Sequence, residues 1–144
     1  MRRALRFFLL AFLLVPLLGA AAPKDLVARW HGFWTAPEGW LYEADVVLAV
    51  DASNQVSGPI HWTLLKSPRP AEQSKLGLTG IEHVRGVFLP EAGVVRLEGW
   101  SLDDPNKILG TDIYRLVLSD DGKVLGGITF HHGPWNAQIL LLKQ

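Results

Sequence analysis

From residue 40 to the C terminus the chain alternates apolar and polar side chains with a period of two, and turn residues cut each alternation short. In "LYEADVVLAVD", Tyr42, Ala44, Val46, Leu48 and Val50 share one face, while Glu43, Asp45 and Asp51 share the other. In "VVRLEGW", Val95 and Leu97 oppose Arg96 and Glu98; in "TDIYRLVLS", Tyr114, Leu116 and Leu118 alternate with Ile113, Arg115 and Val117. A period of two with β-branched and aromatic residues is the signature of strands with one buried face. Turn chemistry falls between the runs: "APEG", "DASNQ", "PEAG", "DDPNK", "SDDGK" and "HHGPW". The best helical stretch, Ala71–Gly80, is interrupted by glycine and supports one turn at most.

Eight strands are therefore expected, at about 27–35, 40–50, 56–65, 80–89, 94–101, 110–118, 123–131 and 135–143. The connections are short except for the polar, proline-containing Lys66–Gly77 segment, a length that often marks a functional loop. Consecutive strands joined by short turns form a meander, and closing the meander hides its edges most completely. The expected fold is all-β, an antiparallel eight-stranded up-and-down barrel, with a two-sheet β-sandwich as the alternative. Such a barrel has an interior that is filled by side chains or holds one small ligand.

The N terminus belongs to a different class of segment. Arg2, Arg3 and Arg6 precede an apolar run from Phe7 to Leu18, and small residues follow from Gly19 to Ala22. This order is that of a secretory signal peptide, and the run is shorter than the roughly 20 residues of a membrane-spanning helix. Pro23 disfavours cleavage directly before it, so residues 1–21 are expected to leave and residues 22–144 to form a single domain. The expected location is secreted or periplasmic, in a bacterium, with no stable membrane span after cleavage. With no cysteine, disulfides, thiolate chemistry, Cys–zinc sites and an N-terminal lipid anchor are all excluded. Loss of the three arginines leaves 11 basic and 14 acidic residues, a net charge of −3, with no basic block for nucleic acid or an anionic membrane surface.

Gly32, Phe33 and Trp34, followed by strands and by Val56-Ser57-Gly58, resemble the Gly-x-Trp opening of calycins, the avidin- and lipocalin-like barrels. The resemblance implies a barrel with Trp34 closing its floor and an arginine, Arg85 or Arg115, stacked on that tryptophan. It carries over no biotin site: Ala36 stands where avidin-like chains have asparagine, and "IHWTLL" has no tyrosine. The segment from Val84 to Thr129 also resembles a β-rich accessory segment of secreted bacterial caspase-like proteins, which implies a portable module and brings no catalytic residue.

Six tryptophans punctuate the chain. Each either fills the core or stands at the mouth to stack on a ligand. Trp40, Trp62 and Trp100, near strand ends, are the mouth candidates. His83 and Arg85 share one strand face and Glu82 takes the other; if the first face is internal, Arg85 needs a partner or an aromatic lid. The expected ligand contacts are Trp40, Trp62, His83, Arg85, Trp100 and Tyr114. No metal site is expected: His131 and His132 point to opposite faces of a strand, and His31, His61 and His83 have no chelating spacing. Asp103 and Asp104 sit in an open turn, and no nucleophile-elbow, phosphate-loop or dinucleotide motif occurs. The sequence thus points away from an enzyme and away from a cofactor. It points to a module that binds a small apolar or amphipathic molecule, or alternatively to a protein-interaction or inhibitor module that uses the 66–77 loop on an envelope partner.

Overall fold

A computed structural model describes residues 22–130, 133 and 135–144. The expected leader, residues 1–21, lies outside the described residues, as do His131, His132 and Pro134 of the last expected turn. The strands are β1 (Arg29–Thr35), β2 (Leu41–Val47), β3 (Ala49–Val50), β4 (Gln55–Lys66), β5 (Thr79–Leu89), β6 (Val94–Asp103), β7 (Ile113–Leu118), β8 (Val124–Phe130) and β9 (Ala137–Lys143). One helical turn, α1 (Pro23–Leu26), precedes them, and a short 3₁₀ segment, Pro70–Lys75, lies in the long loop.

Eight of the strands close an antiparallel up-and-down barrel. Every neighbouring pair is antiparallel, and the ring is sealed where β1 meets β9, from Trp30 opposite Lys143 to Thr35 opposite Gln138. The ninth strand, β3, is a two-residue piece on β4. It takes up the β2–β4 register again after a break at Leu48, so the expected 40–50 strand is present in two pieces. No sandwich forms: the strands make one continuous sheet closed on itself rather than two sheets packed face to face.

Alternation sorts the side chains as the sequence implies. Tyr42, Ala44 and Val46 of β2, Leu116 and Leu118 of β7, and Ile139 and Leu141 of β9 are buried inside, while the residues between them face outward. One end of the interior is solid. Pro23 opens α1 at a position where its missing N–H costs nothing, and the Asp25 carboxylate accepts from the Ala22 backbone N–H. Leu26 then enters the core fully buried, and its carbonyl accepts from the indole of fully buried Trp30 at 3.1 Å. Lys143 donates to the Asp25 carbonyl at 3.0 Å and fastens α1 to the last strand. Trp30, with α1 below it, is therefore the floor. The resemblance to calycins had assigned that place to Trp34.

Gly32 has a steric reason to be glycine. A Cβ at this position would lie 1.9 Å from the Leu140 carbonyl oxygen across the β1–β9 seam. Any side chain there would push the closing strands apart.

Candidate functional site

Opposite the floor the barrel opens into a cavity of about 370 Å3. Its walls are aromatic. The Tyr42 ring meets Trp34 and Trp62 edge to face, at centroid distances of 5.6 and 5.9 Å, and stacks on Trp40 at 6.1 Å. Edge-to-face and offset arrangements are those the ring quadrupole favours. All four side chains come from β1, β2, β4 or the turn before β2, and the pleat turns Trp34, Tyr42 and Trp62 inward. Tyr42 donates its hydroxyl to the Ile108 carbonyl at 2.5 Å, which ties the aromatic wall to the 104–112 loop. Its phenol is pushed well above the usual range, first by burial and then by the charges of Glu72, Asp104 and Asp112.

Two loops shape the rim. In the long loop, Ser67 is buried, and its hydroxyl donates to Glu72 and accepts from the Arg69 N–H. The Arg69 guanidinium lies 5.3 Å from the centre of the Trp40 ring and 3.5 Å from Glu72. Lys75 donates to the Lys107 carbonyl at 2.9 Å, joining this loop to the one that carries Ile108.

The interior also holds a polar cluster. Glu82, only 1% exposed, lines the cavity. One carboxylate oxygen accepts from the Trp62 indole at 3.1 Å and from the Tyr114 hydroxyl at 2.5 Å; the other accepts from the Asp112 backbone N–H at 2.9 Å. Asp112 accepts in turn from Thr129 at 3.0 Å, and Thr129 accepts from the Trp34 indole at 2.7 Å. Burial raises the Glu82 carboxyl to about 7, with the charge of Asp112 adding to the rise and the hydrogen bonds from Tyr114, the Asp112 N–H and Trp62 opposing it. Tyr114 is held far above its ordinary value by burial and by its acidic neighbours. Space for the carboxylate comes from Gly99, where a Cβ would stand 1.9 Å from the nearer Glu82 oxygen.

The six ligand contacts expected from sequence divide evenly. Trp40, Trp62 and Tyr114 line the cavity. His83, Arg85 and Trp100 are together on the outer wall, where Trp100 is 56% exposed, Arg85 lies 5.6 Å over its ring and pairs with Glu98, and His83 contacts Asp103. Placing Trp100 at the mouth is thus corrected. It follows Arg96 and Glu98 on the outward face, and it is the extra residue of a β-bulge in which Val84 opposes Gly99 and His83 opposes Ser101. The open question about the "GIEHVRG" strand also resolves: Glu82 and Val84 point inward, and His83 and Arg85 point outward. The two arginines that the calycin resemblance offered for stacking on Trp34 cover other rings. Arg85 covers Trp100, and Arg115 covers Trp135 at 4.5 Å.

Sequence reasoning missed Glu82, Asp112 and Thr129 as members of the site. Glu82 carried a signal, since it occupies the even-numbered face of β5 between Gly80 and Val84. Asp112 and Thr129 carried none: Asp112 lies in the loop before β7, and Thr129 meets Trp34 only once β1 and β9 close the ring. Among the described residues, no three His, Asp or Glu side chains are grouped to hold a metal ion, and no helix is long and apolar enough to cross a membrane. No family model matches the chain, and no curated protein matches it in sequence.

Proposed function

We propose that this chain is an exported, calycin-like barrel that binds a small apolar or amphipathic molecule in its open end. The observation that carries this reading is a 370 Å3 cavity walled by Trp34, Trp40, Tyr42 and Trp62 and backed by a hydrogen-bonded carboxyl. That volume is at the small end of the range for small-molecule sites, and the combination of apolar walls with a few convergent polar groups is their usual lining. The reading is one of binding rather than turnover, because three of the roughly four acceptor positions of Glu82 are already taken by Trp62, Tyr114 and the Asp112 N–H. Three indoles in the wall make the test direct. Titration with a panel of small aromatic, aliphatic and sugar compounds should quench or shift tryptophan fluorescence saturably for one class, and W62F should reduce the change. A panel that leaves the spectrum unmoved at millimolar concentration would refute the reading.

A second reading, a protein-interaction module, is favoured by Leu76 and Leu78, which stand exposed at the end of the long loop. Replacing both with aspartate should abolish capture of an envelope partner while leaving the fluorescence titration unchanged.

A further inference from the structure

We propose that the ligand of this cavity carries a cationic amine, which seats against the Glu82 carboxyl while its carbon skeleton lies on the rings of Trp34, Tyr42 and Trp62. This rests on the cavity being a ligand site, as argued above.

The argument starts from what surrounds Glu82. Its three partners, Trp62, Tyr114 and the Asp112 N–H, are neutral donors. None of the described lysine or arginine side chains forms an ion pair with it. A carboxylate offers about four acceptor positions, so three donors leave one for a further N–H. Burying an ionised carboxylate without a counter-charge is costly, and a glutamate in such a place is best matched by a cation from outside. The basic residues that line the cavity, Arg69 and Lys107, belong to the rim loops, and Arg69 is engaged with Glu72 and Trp40.

The walls favour the same class. Aromatic faces attract organic cations through their quadrupole, more strongly when the site is dry. A metal ion fits poorly, since Trp62 N–H and Tyr114 O–H already occupy one carboxylate oxygen and the described residues hold no cluster of three ligands. With its carboxyl near 7, Glu82 is partly protonated at neutral pH, so a bound cation drives it to ionise and release a proton. The titratable groups around it are Tyr114 on β7, Asp112 in the preceding loop and Tyr42 on β2, with Glu38, Glu72, Arg69 and Lys107 at the rim. Both tyrosines stay protonated in the range of the test, because burial raises them.

The test is calorimetry on the purified protein with phenethylamine and its neutral counterpart 2-phenylethanol. At pH 8 the amine should bind about tenfold tighter or better, a charge–charge and cation–π advantage. The advantage should shrink about tenfold on moving to pH 5.5, and binding at pH 7 should release protons, read from the dependence of the heat on buffer ionisation. E82Q should bring the two affinities close together. If E82Q does not fold, the wild-type pH profile and the proton count still decide. Equal affinity of the two probes at pH 8 would overturn the cationic class and leave the cavity reading standing. Saturable binding of neither probe would overturn the cationic class, and with the fluorescence panel also silent it would overturn both.

Discussion

Glu82 makes the stability of this barrel depend on pH in a definite direction. The carboxyl is raised from an ordinary 4.5 to about 7, chiefly by burial. The folded state therefore holds this proton more tightly than the unfolded chain does. Below pH 4.5 both states are protonated, and the neutral acid sits among its three donors at full stability. As the pH rises from 4.5 to 7 the unfolded chain ionises freely while the folded chain resists, and stability falls. Above 7 the folded state carries a buried carboxylate, and the loss is complete. The displacement corresponds to about 3 kcal/mol between pH 4.5 and pH 8. In urea, where slopes run at about 1–3 kcal/mol per molar, this moves the midpoint by about 1–3 M. Other groups titrate over the same range, so the quantity to measure is the difference between wild type and E82Q, from urea unfolding followed by tryptophan fluorescence at half-unit pH steps. Glutamine cannot ionise. Its oxygen accepts from Trp62 and Tyr114, while its amide meets the Asp112 N–H donor to donor, so E82Q should be the less stable protein at pH 5. That deficit should narrow steadily towards pH 8. A difference that stays level across pH 5–8, or that widens with pH, would show that Glu82 titrates like an exposed acid and that the account of its burial is wrong.

Three further outcomes follow from packing. Gly32→Ala drives a methyl into the Leu140 carbonyl at the closing seam, and it should lower stability by about 3 kcal/mol or prevent folding, as seen in a thermal melt. Trp30→Ala removes the fully buried floor indole and its bond to Leu26, and it should cost about 3–5 kcal/mol in chemical unfolding. Trp100→Ala on the outer wall loses only its contacts with Arg85 and His83, and it should cost about 1 kcal/mol or less and leave ligand titrations unchanged, whereas Trp40→Ala should weaken them.

Much of the architecture was legible because it is written in local rules. Period-two alternation in 41–51 and 113–118, with turn residues between the runs, is sufficient to place strands and to say which side faces in. Closure followed from the need to hide edges. The same alternation, carried from Val95 and Leu97, puts Trp100 outside; treating it as a mouth residue gave its aromatic character more weight than its parity. Strand β5 was harder because its inward face carries a glutamate and its outward face a histidine and an arginine, so neither side reads as apolar. Glu82 sits inside only because Gly99, on the neighbouring strand, leaves a space for its oxygens. That complementarity joins residues far apart in sequence and has no local trace. The floor was misassigned for a similar reason: Trp30 is buried by α1, whose single turn is too short to show a helical period.

The β1–β9 seam has a consequence for how the molecule comes into being. Trp30 pairs with Val46 on β2 but finds its second neighbour only at Lys143, so the first strand cannot be paired on both sides until β9 has been made. Before that moment a nascent chain presents two raw sheet borders, one on β1 and one on whichever strand was last to emerge. Contacts this distant along the chain form slowly, so closing the ring is the late step of folding, and the two borders stay open until it happens.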